Sequence, residues 1–308
     1  MNTSVKVHGK VCLLKGGDSQ EREISLLTAK ECLLALSELG YDSHDYDFSG
    51  DVGELVDHLK TDPPDCVLNA LHGGSGENGN VQALLNLMKI PYSHSGVAAS
   101  AMAMDKRISR RLFASNGLRI PEGFVKKWDE FKANPTMDYP FVVKEIDGGS
   151  SAGVYVVNDV KALQAIEWKY KNNEVLVEKY IPGLELSVSV LNNNPVAVTN
   201  IVVSNGFYDY RNKYSTGCSF HEIPAKIPEK VRKLAMEYAM TAHAALGCRW
   251  ISRSDFRYDH VADELCILEV NTQPGMTKLS LVPEQAKYVG ISFNQLVQWI
   301  VEEACYDI

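Results

Sequence analysis

The sequence has no long apolar segment and no block of basic residues. Its longest apolar runs fall far short of the ~20 residues that a membrane-spanning helix needs, and residues 1–17 have no apolar signal-peptide core. The chain carries 31 Lys and Arg against 39 Asp and Glu, for a formal net charge of −8. We therefore expect neither nucleic acid nor a membrane surface as a partner, and we expect a cytoplasmic location.

Paired cysteines and the P-loop nucleotide motif are missing too. The seven cysteines are scattered, and none belongs to a C-x-x-C pair. We interpret them as reduced residues of a cytosolic protein, rather than as disulfides or zinc ligands. No G-x-x-x-x-G-K-S/T motif occurs, which excludes a P-loop NTPase.

The sequence does contain enough apolar side chains for a large core. With 308 residues, of which 45% are hydrophobic, the chain is long enough for two or three lobes. The first third alternates predicted strands near 10–14, 43–47 and 66–71 with predicted helices near 21–39 and 51–60. This β-α-β-α-β order predicts a parallel sheet.

The remainder of the chain has a different pattern of elements. Helices are predicted over 104–115, 159–169 and 228–246, and an amphipathic helix closes the chain. The other predicted strands, which include two hairpins, are 123–126, 140–145, 153–157, 174–180, 185–191, 196–203, 250–258 and 264–271. The predicted fold class is therefore α/β (α+β), with a parallel sheet near the N-terminus.

The stretch LHGGSGENG at 71–79 spells the G-x-G-x-x-G dinucleotide fingerprint with Gly74, Gly76 and Gly79. That fingerprint belongs after the first strand, with an acidic residue about 20 positions later. Here it follows the third predicted strand, and residues 93–103 contain no Asp or Glu. We reject a dinucleotide site and expect the loop, which keeps His72 and Glu77, to line another kind of site.

A second glycine-rich loop follows Lys144. Residues 147–153 read DGGSSAG between two predicted strands. Free backbone N–H groups and hydroxyls in such a hairpin loop can close over phosphates, with Lys144 as a point charge. An ordinary flexible turn is the alternative interpretation.

The last predicted hairpin places four polar side chains on one surface. If its turn centres on Ala262, then Asp255 lies opposite Glu269 and Arg253 lies opposite Asn271, and residues i and i+2 share a face. Two carboxylates and an amide suit Mg²⁺, and Arg253 suits a phosphate or a developing oxyanion. The alternative is a solvated, salt-bridged sheet face.

Several motifs, in order along nearly the whole chain, resemble those of the D-alanine–D-alanine ligases of the ATP-grasp superfamily. They are Gly16-Gly17-x-Ser19-x-Glu21-Arg22-Glu23-Ile24-Ser25, Leu71-His72-Gly73-x-x-Gly76-Glu77-x-Gly79, Pro91-Tyr92-x-x-Ser95-Gly96-Val97, Met104-Asp105-Lys106, Gly149-Ser150-Ser151-x-Gly153, Phe207-Tyr208-Asp209-Tyr210-x-x-Lys213-Tyr214, Arg253-x-Asp255, Glu269-Val-Asn271-Thr-x-Pro274-Gly275-Met276-Thr277 and Ser280-Leu281-Val282-Pro283.

The resemblance implies a three-domain ATP-grasp architecture. It also implies an ATP-dependent ligase that joins two D-alanines through a D-alanyl phosphate. Its domains would be a substrate-binding α/β domain (1–102), a central ATP-grasp subdomain (103–185) and a C-terminal catalytic subdomain (186–308). It also implies peptidoglycan precursor synthesis and a homodimer. The alternatives are a relative with another second substrate, either D-lactate or another amino acid, and a weakly active nucleotide-binding paralogue. The presence of Lys213 and Tyr214 argues against D-lactate.

The resemblance also implies a role for each residue of the site. Catalytic residues would be Glu21, Ser150, Tyr214, Arg253 and Gly275, and His72, Ser280 and Leu281 would bind substrate. ATP would be bound by Lys106, Lys144, Ser151, the adenine hinge Glu178-Lys179-Tyr180-Ile181, Glu185 and Lys213. Asp255, Glu269 and Asn271 would hold two Mg²⁺ ions, with Mn²⁺ as a substitute.

Some positions depart from the family pattern. Lys15 precedes the first glycine pair, Asp18 follows it, and Glu145 and Asp147 stand after Lys144. Added acids near ATP phosphates weaken nucleotide binding unless they are paired, and Lys15 and Arg22 are the candidate partners. His94 and Gln273 are milder departures.

Overall fold

The computed structural model describes residues 9–149, 153–170, 173–203 and 219–307. Within them the chain forms three β-sheets with helices packed around them. The mixed helix-and-sheet class predicted from the sequence is confirmed. No helix in these ranges is both long and apolar enough to cross a membrane.

The first sheet is parallel, as predicted. Its strands are β1 (Lys10–Gly16), β2 (Asp42–Phe48) and β3 (Cys66–Asn69), in the order β2-β1-β3. Helices α1 (Arg22–Glu38) and α2 (Val52–Thr61) make the crossovers. The central strand is apolar on both faces because helices cover both sides of a parallel sheet.

Short helices connect this sheet to the middle of the chain. They are α3 (Gly74–Glu77), α4 (Asn80–Met88), α5 (Val97–Met104) and α6 (Lys106–Ser115). Between α4 and α5, Tyr92 forms single β-bridges to Val67 and Cys305. The helix predicted over 104–115 begins at Lys106, after a separate helix that the sequence pattern did not indicate.

The second sheet is antiparallel and four-stranded. Its strands are β4 (Gly123–Lys127), β5 (Phe141–Glu145), β6 (Val154–Val157) and β7 (Glu174–Lys179), in the order β4-β7-β5-β6. Helices α7 (Trp128–Ala133) and α8 (Val160–Ala165) pack on it. The helix predicted over 159–169 therefore ends four residues early.

The third sheet is antiparallel and carries both predicted hairpins. Its strands are β8 (Leu184–Leu191), β9 (Asn194–Val203), β10 (Ser219–Glu222), β11 (Ile251–Asp259) and β12 (Glu264–Asn271), in the order β10-β9-β8-β11-β12. Helix α9 (Glu229–Leu246) packs against it. Helices α10 (Leu281–Tyr288) and α11 (Phe293–Glu302) follow.

Two cores link parts of the chain that are far apart in sequence. Val297 and Ile300 of α11 pack with Leu13 and Leu36 in the core of the first sheet. Phe113 of α6 packs in the core of the third sheet. The proposed boundaries at residues 102 and 185 fall inside α5 and β8, and the three-domain division stays a prediction.

Candidate active site

One cleft collects residues from motifs that the sequence keeps far apart. It is lined by Glu77 of α3, Lys106 of α6, Gly148 and Gly149 of the second glycine-rich loop, and Glu269 and Asn271 of β12. The dinucleotide-like loop therefore lies beside the hairpin with the predicted metal ligands. No single sheet contributes the whole lining.

The β11–β12 hairpin has the cross-strand pairs that the sequence predicted. Arg253 pairs with Asn271, and Asp255 pairs with Glu269. These pairs do not arise from a turn centred on Ala262, because Asp259 pairs with Glu264 next to the turn. A β-bulge at Leu268 adds one residue to β12 and brings Glu269 opposite Asp255.

The Asp255 carboxylate is the centre of the polar surface on this hairpin. It accepts hydrogen bonds from Arg253 Nε and Nη2 at 3.0 and 2.8 Å, and from Ser187 Oγ at 2.7 Å. Asn271 Nδ2 donates to it at 3.3 Å. Two carboxylates and an amide oxygen are hard donors, so this set fits Mg²⁺, which would compete with Arg253 for Asp255.

Lys106 lies at the first turn of α6 and points into the cleft. Its Nζ donates to the Gly148 carbonyl at 2.6 Å and lies 3.9 Å from Glu269 Oε2. Burial lowers the pKa of the Lys106 ammonium, with a further contribution from Lys144, and Glu269 opposes the shift. Lys106 thus ties the second glycine-rich loop to the proposed metal ligands.

Lys144, the other predicted phosphate-binding lysine, belongs to a buried charge cluster. Its Nζ lies 2.6 Å from Glu178 Oε2, and Arg110 Nη1 binds the second oxygen of the same carboxylate. All three residues are at most 8% exposed. Glu178 therefore pairs with two cations, and Arg110 is a part of the site that the sequence reasoning missed. The sequence did contain a signal for Arg110, because Lys106 and Arg110 are four residues apart on one helix and share a face.

The predicted adenine hinge is held by a second arginine that the sequence reasoning missed. Arg257 Nε donates to the Ile181 carbonyl at 3.0 Å, and Arg257 Nη1 lies 3.5 Å from Glu185 Oε2. The guanidinium also lies 5.7 Å from the centre of the Tyr180 ring, in a cation–π arrangement. Arg257 alternates with Arg253 and Asp255 along β11, so the period of two indicated its face.

Glu21 lies between the two glycine-rich loops. A Cβ added to Gly73 would lie 2.8 Å from Glu21 Oε2, and one added to Gly149 would lie 2.9 Å from it. Both loops therefore need glycine to let the carboxylate approach. His72 is buried nearby, with hydrogen bonds to Thr28 Oγ1 at 3.0 Å and Glu77 Oε1 at 3.2 Å.

The residues predicted to bind the second substrate lie next to each other at the start of α10. The Thr277 N–H donates to Ser280 Oγ at 3.0 Å, and a Cβ on Gly275 would lie 3.0 Å from the same oxygen. Leu281 is buried against Ile201. Gly275 thus allows the backbone to pass close to Ser280.

The sequence is similar to known proteins over most of its length. Residues 121–302 match the family described as "D-ala D-ala ligase C-terminus". The D-alanine–D-alanine ligase of Caulobacter vibrioides is 47% identical over 303 residues, covering 96% of this chain and 92% of that protein. The one of Acidiphilium cryptum is 46% identical over 298 residues, covering 96% and 98%. The chain belongs to the D-alanine–D-alanine ligase family.

Solved structures of the family share its fold. A D-alanine–D-alanine ligase from Bacillus anthracis superposes with a TM-score of 0.80 at 30% identity, covering 95% of this chain and 96% of that one. The structure of the ligase from the same organism "complexed with ATP" gives a TM-score of 0.79 at 28% identity, covering 95% of each chain. The ATP-grasp architecture expected from the sequence is confirmed.

Four residues to which the family resemblance gives a role, Ser150, Ser151, Lys213 and Tyr214, lie outside the described residues. Contacts connect Glu21, His72, Lys106, Arg253, Asp255, Glu269 and Asn271 to one cleft, and Lys179 is exposed at the end of β7. Their individual roles stay predictions.

The departures from the family pattern have local explanations, but one expectation was wrong. Lys15 is paired with Asp45, and Arg22 is paired with Asp47, both on β2. Lys15 and Arg22 are therefore not the partners of the acids after Lys144. Burial and the nearby Asp147 carboxylate raise the pKa of Glu145, and Lys106 opposes this shift.

Gln273 is more than a mild departure from the family sequence. Its Oε1 accepts from Asn69 Nδ2 at 2.9 Å, and its Nε2 donates to the Leu71 carbonyl. Asn69 Nδ2 also donates to the Gly76 carbonyl at 2.9 Å. Gln273 thus fastens the first glycine-rich loop to the strand end that carries Asn271.

Proposed function

We propose that this chain joins two molecules of D-alanine to D-alanyl-D-alanine, using ATP, for peptidoglycan precursor synthesis. The observation that carries the proposal is the cleft in which Lys106, the second glycine-rich loop and the Asp255–Glu269 pair meet. This is a set of cations and oxygen ligands around one space, in a chain of this ligase family. Such a set suits phosphoryl transfer, which depends on positioning and charge stabilisation.

In the first step, a carboxylate oxygen of the first D-alanine attacks the γ-phosphorus of ATP, and the bond to the β-phosphate oxygen breaks. The products are D-alanyl phosphate and ADP. Lys106 and Lys144 hold phosphate oxygens, with Ser151 and Lys213 in support. Glu21 accepts hydrogen bonds from the substrate ammonium, and its position between Gly73 and Gly149 supports this role.

In the second step, the neutral amine of the second D-alanine attacks the acyl carbon. A peptide bond forms, inorganic phosphate leaves, and the amine releases a proton. Arg253 and the Gly275 N–H stabilise the oxyanion, and Ser280 holds the carboxylate of the second substrate. Ser150 and Tyr214, with Glu21, close the site against water.

Asp255, Glu269 and Asn271 are the proposed ligands of two Mg²⁺ ions, for which Mn²⁺ can substitute. When bound, these ions neutralise phosphate charge during phosphoryl transfer. Asp255 is paired with Arg253 in this structure, so a bound Mg²⁺ ion would compete with the Arg253 guanidinium for that carboxylate.

The test is ADP release measured side by side with D-alanine alone, D-alanine plus D-lactate, and L-alanine, with each product identified by mass. We expect turnover and dipeptide with D-alanine alone. Depsipeptide as the main product would assign another second substrate. ADP release that no amino acid stimulates would identify a nucleotide-binding paralogue.

The proposal extends to assembly and location. By the habit of the family we expect a homodimer, formed mainly by residues 1–102, in the cytoplasm. Light scattering at micromolar concentration checks the homodimer, and a mass of one chain would contradict it.

A further inference from the structure

A second group of metal-binding side chains lies in the first sheet, away from the cleft. The Sγ of Cys12 and one ring nitrogen each of His44 and His58 lie within 4.8 Å of one another. Elsewhere in the described ranges, no three His, Cys, Asp or Glu side chains bring their ligand atoms so close. None of these three residues is among those that line the candidate active site.

The topology of the sheet places these side chains together. Cys12 on β1 and His44 on β2 are direct register partners in a parallel pair, so they lie side by side on one face. His58 on α2 covers that face, with its ring stacked on Tyr46 at 4.4 Å and edge-on to His44 at 5.5 Å. The distance from Cys12 Sγ to His58 Nε2 is 4.0 Å.

One of the histidine nitrogens has no hydrogen bond within the described residues. His44 Nε2 is buried, and its nearest charged neighbour is Asp62 Oδ2 at 3.7 Å. Buried polar atoms in folded proteins are nearly always satisfied, by protein, water or an ion. A cation between the two rings would satisfy this nitrogen.

Charge and spacing favour a cation with borderline-soft preferences. Asp62 follows His58 by four residues at the end of α2, and its other oxygen is held by Lys10. A thiolate, two imidazoles and a carboxylate form a tetrahedral ligand set typical of Zn²⁺. Tetrahedral zinc places sulfur and nitrogen ligands about 3.5 Å apart, so Cys12 and His58 need to approach by only about 0.5 Å.

We propose that Cys12, His44 and His58 bind Zn²⁺, with Asp62, whose Oδ2 lies 3.7 Å from His44 Nε2, as the candidate for the fourth position. For Cys12 this replaces the interpretation of a plain core thiol. Since β2 is an edge strand of its sheet, the ion would fasten that edge to β1 and α2. The site is structural, because its ligands come from three elements of one domain and lie outside the catalytic cleft.

The test uses the full-length chain, freed of metal with a chelator and without nucleotide, titrated with Co²⁺ and then with Zn²⁺. We expect one Co²⁺ per chain with a sulfur-to-cobalt charge-transfer band, and loss of that band when Zn²⁺ is added. Zn²⁺ should also raise the unfolding temperature. An oxygen-only site at Asp255 and Glu269 gives no sulfur band, so Glu269→Gln should leave the spectrum unchanged.

Variants separate binding from folding. His44→Gln and His58→Gln should each weaken Co²⁺ binding at least tenfold, and His260→Gln, an exposed histidine on the β11–β12 turn, should not. If Cys12→Ser fails to fold, the two histidine variants still decide the matter. A wild-type chain without the sulfur band, or a band of equal strength and affinity in both histidine variants, overturns the proposal.

Discussion

Arg110 shares the Glu178 carboxylate with Lys144, and Arg110→Met therefore tests how the charge cluster supports both folding and ATP binding. Removing one partner of a buried ion pair costs about 3–5 kcal/mol when the other charge is left alone. Lys144, which lies 2.6 Å from Glu178 in this structure, is expected to stay paired with that carboxylate in the variant. We therefore expect the smaller loss of a hydrogen bond to a charged group, about 1.5–3 kcal/mol in the free energy of unfolding.

The same change should alter nucleotide binding in a specific way. Without Arg110, Lys144 becomes the sole cation of Glu178, and it is held more tightly away from the phosphates. A loss of about 1.4 kcal/mol in phosphate binding corresponds to a tenfold rise in the KM for ATP. The KM for D-alanine should stay near the wild-type value, because Glu21 and Ser280 are not part of the cluster.

The assay combines denaturant unfolding with steady-state kinetics, each substrate varied in turn. Arg111→Met is the matched control, since Arg111 is the next residue on α6 and is exposed. Arg110→Lys keeps the charge and should recover most of the loss. The ordinary range for surface changes is about 0.5 kcal/mol. If the free energies of unfolding of Arg110→Met and Arg111→Met differ by less than that, the cluster does not stabilise the fold as we infer.

Three further changes test other parts of the site. Glu269→Gln should abolish turnover while leaving the unfolding transition intact; full activity would remove Glu269 from the metal site. Arg253→Ala should lower kcat by about 10²–10³, as for loss of one oxyanion donor, and a change confined to the KM for ATP would make it a phosphate ligand instead. Burial, with smaller contributions from His72 and Arg249, lowers the pKa of His94 to about 3, so protons bind the unfolded chain first. The contribution of His94 to the free energy of unfolding is therefore fully present above pH 6.5, and roughly 5 kcal/mol of it is lost as the pH drops toward 3. His94→Asn, which suits the positive φ of 68° there, should flatten this slope, and an unchanged slope in denaturant unfolding between pH 3 and 7 would contradict it.

The sequence was most informative where local rules decide the structure. The parallel order of β1, β2 and β3 follows from alternating strands and helices, because such crossovers admit few topologies. The shared face of Arg253 and Asp255 on β11 follows from the period of two, whereas the pairing of Asp255 with Glu269 depends on a bulge. The bulge at Leu268 did not follow, since one extra residue in a strand leaves no trace in an apolar run.

Other features depend on contacts between distant residues and could not be predicted. Helix α5 consists of small and apolar residues, so it has no polar face to show a helical period. The helix that begins at Val160 ends early, and beyond its end Trp168 stacks on Trp128 at 5.3 Å. Arg110 finds its partner 68 residues away, and no pattern within α6 indicates a particular acid.

The contacts of α11 and of the residues that follow it bear on the order in which the molecule can fold. Asp307 bonds to Asn86, 221 residues earlier, and to the Val97 N–H, and it pairs with Arg249 at 3.1 Å. Val297 and Ile300 complete the core around β1. The first sheet can therefore form its hydrogen bonds and its contacts with α1 early, but the core around Leu13 and Leu36 is complete only when α11 packs on it. Closure of such a long loop is slow, so we expect this core to be completed late in folding.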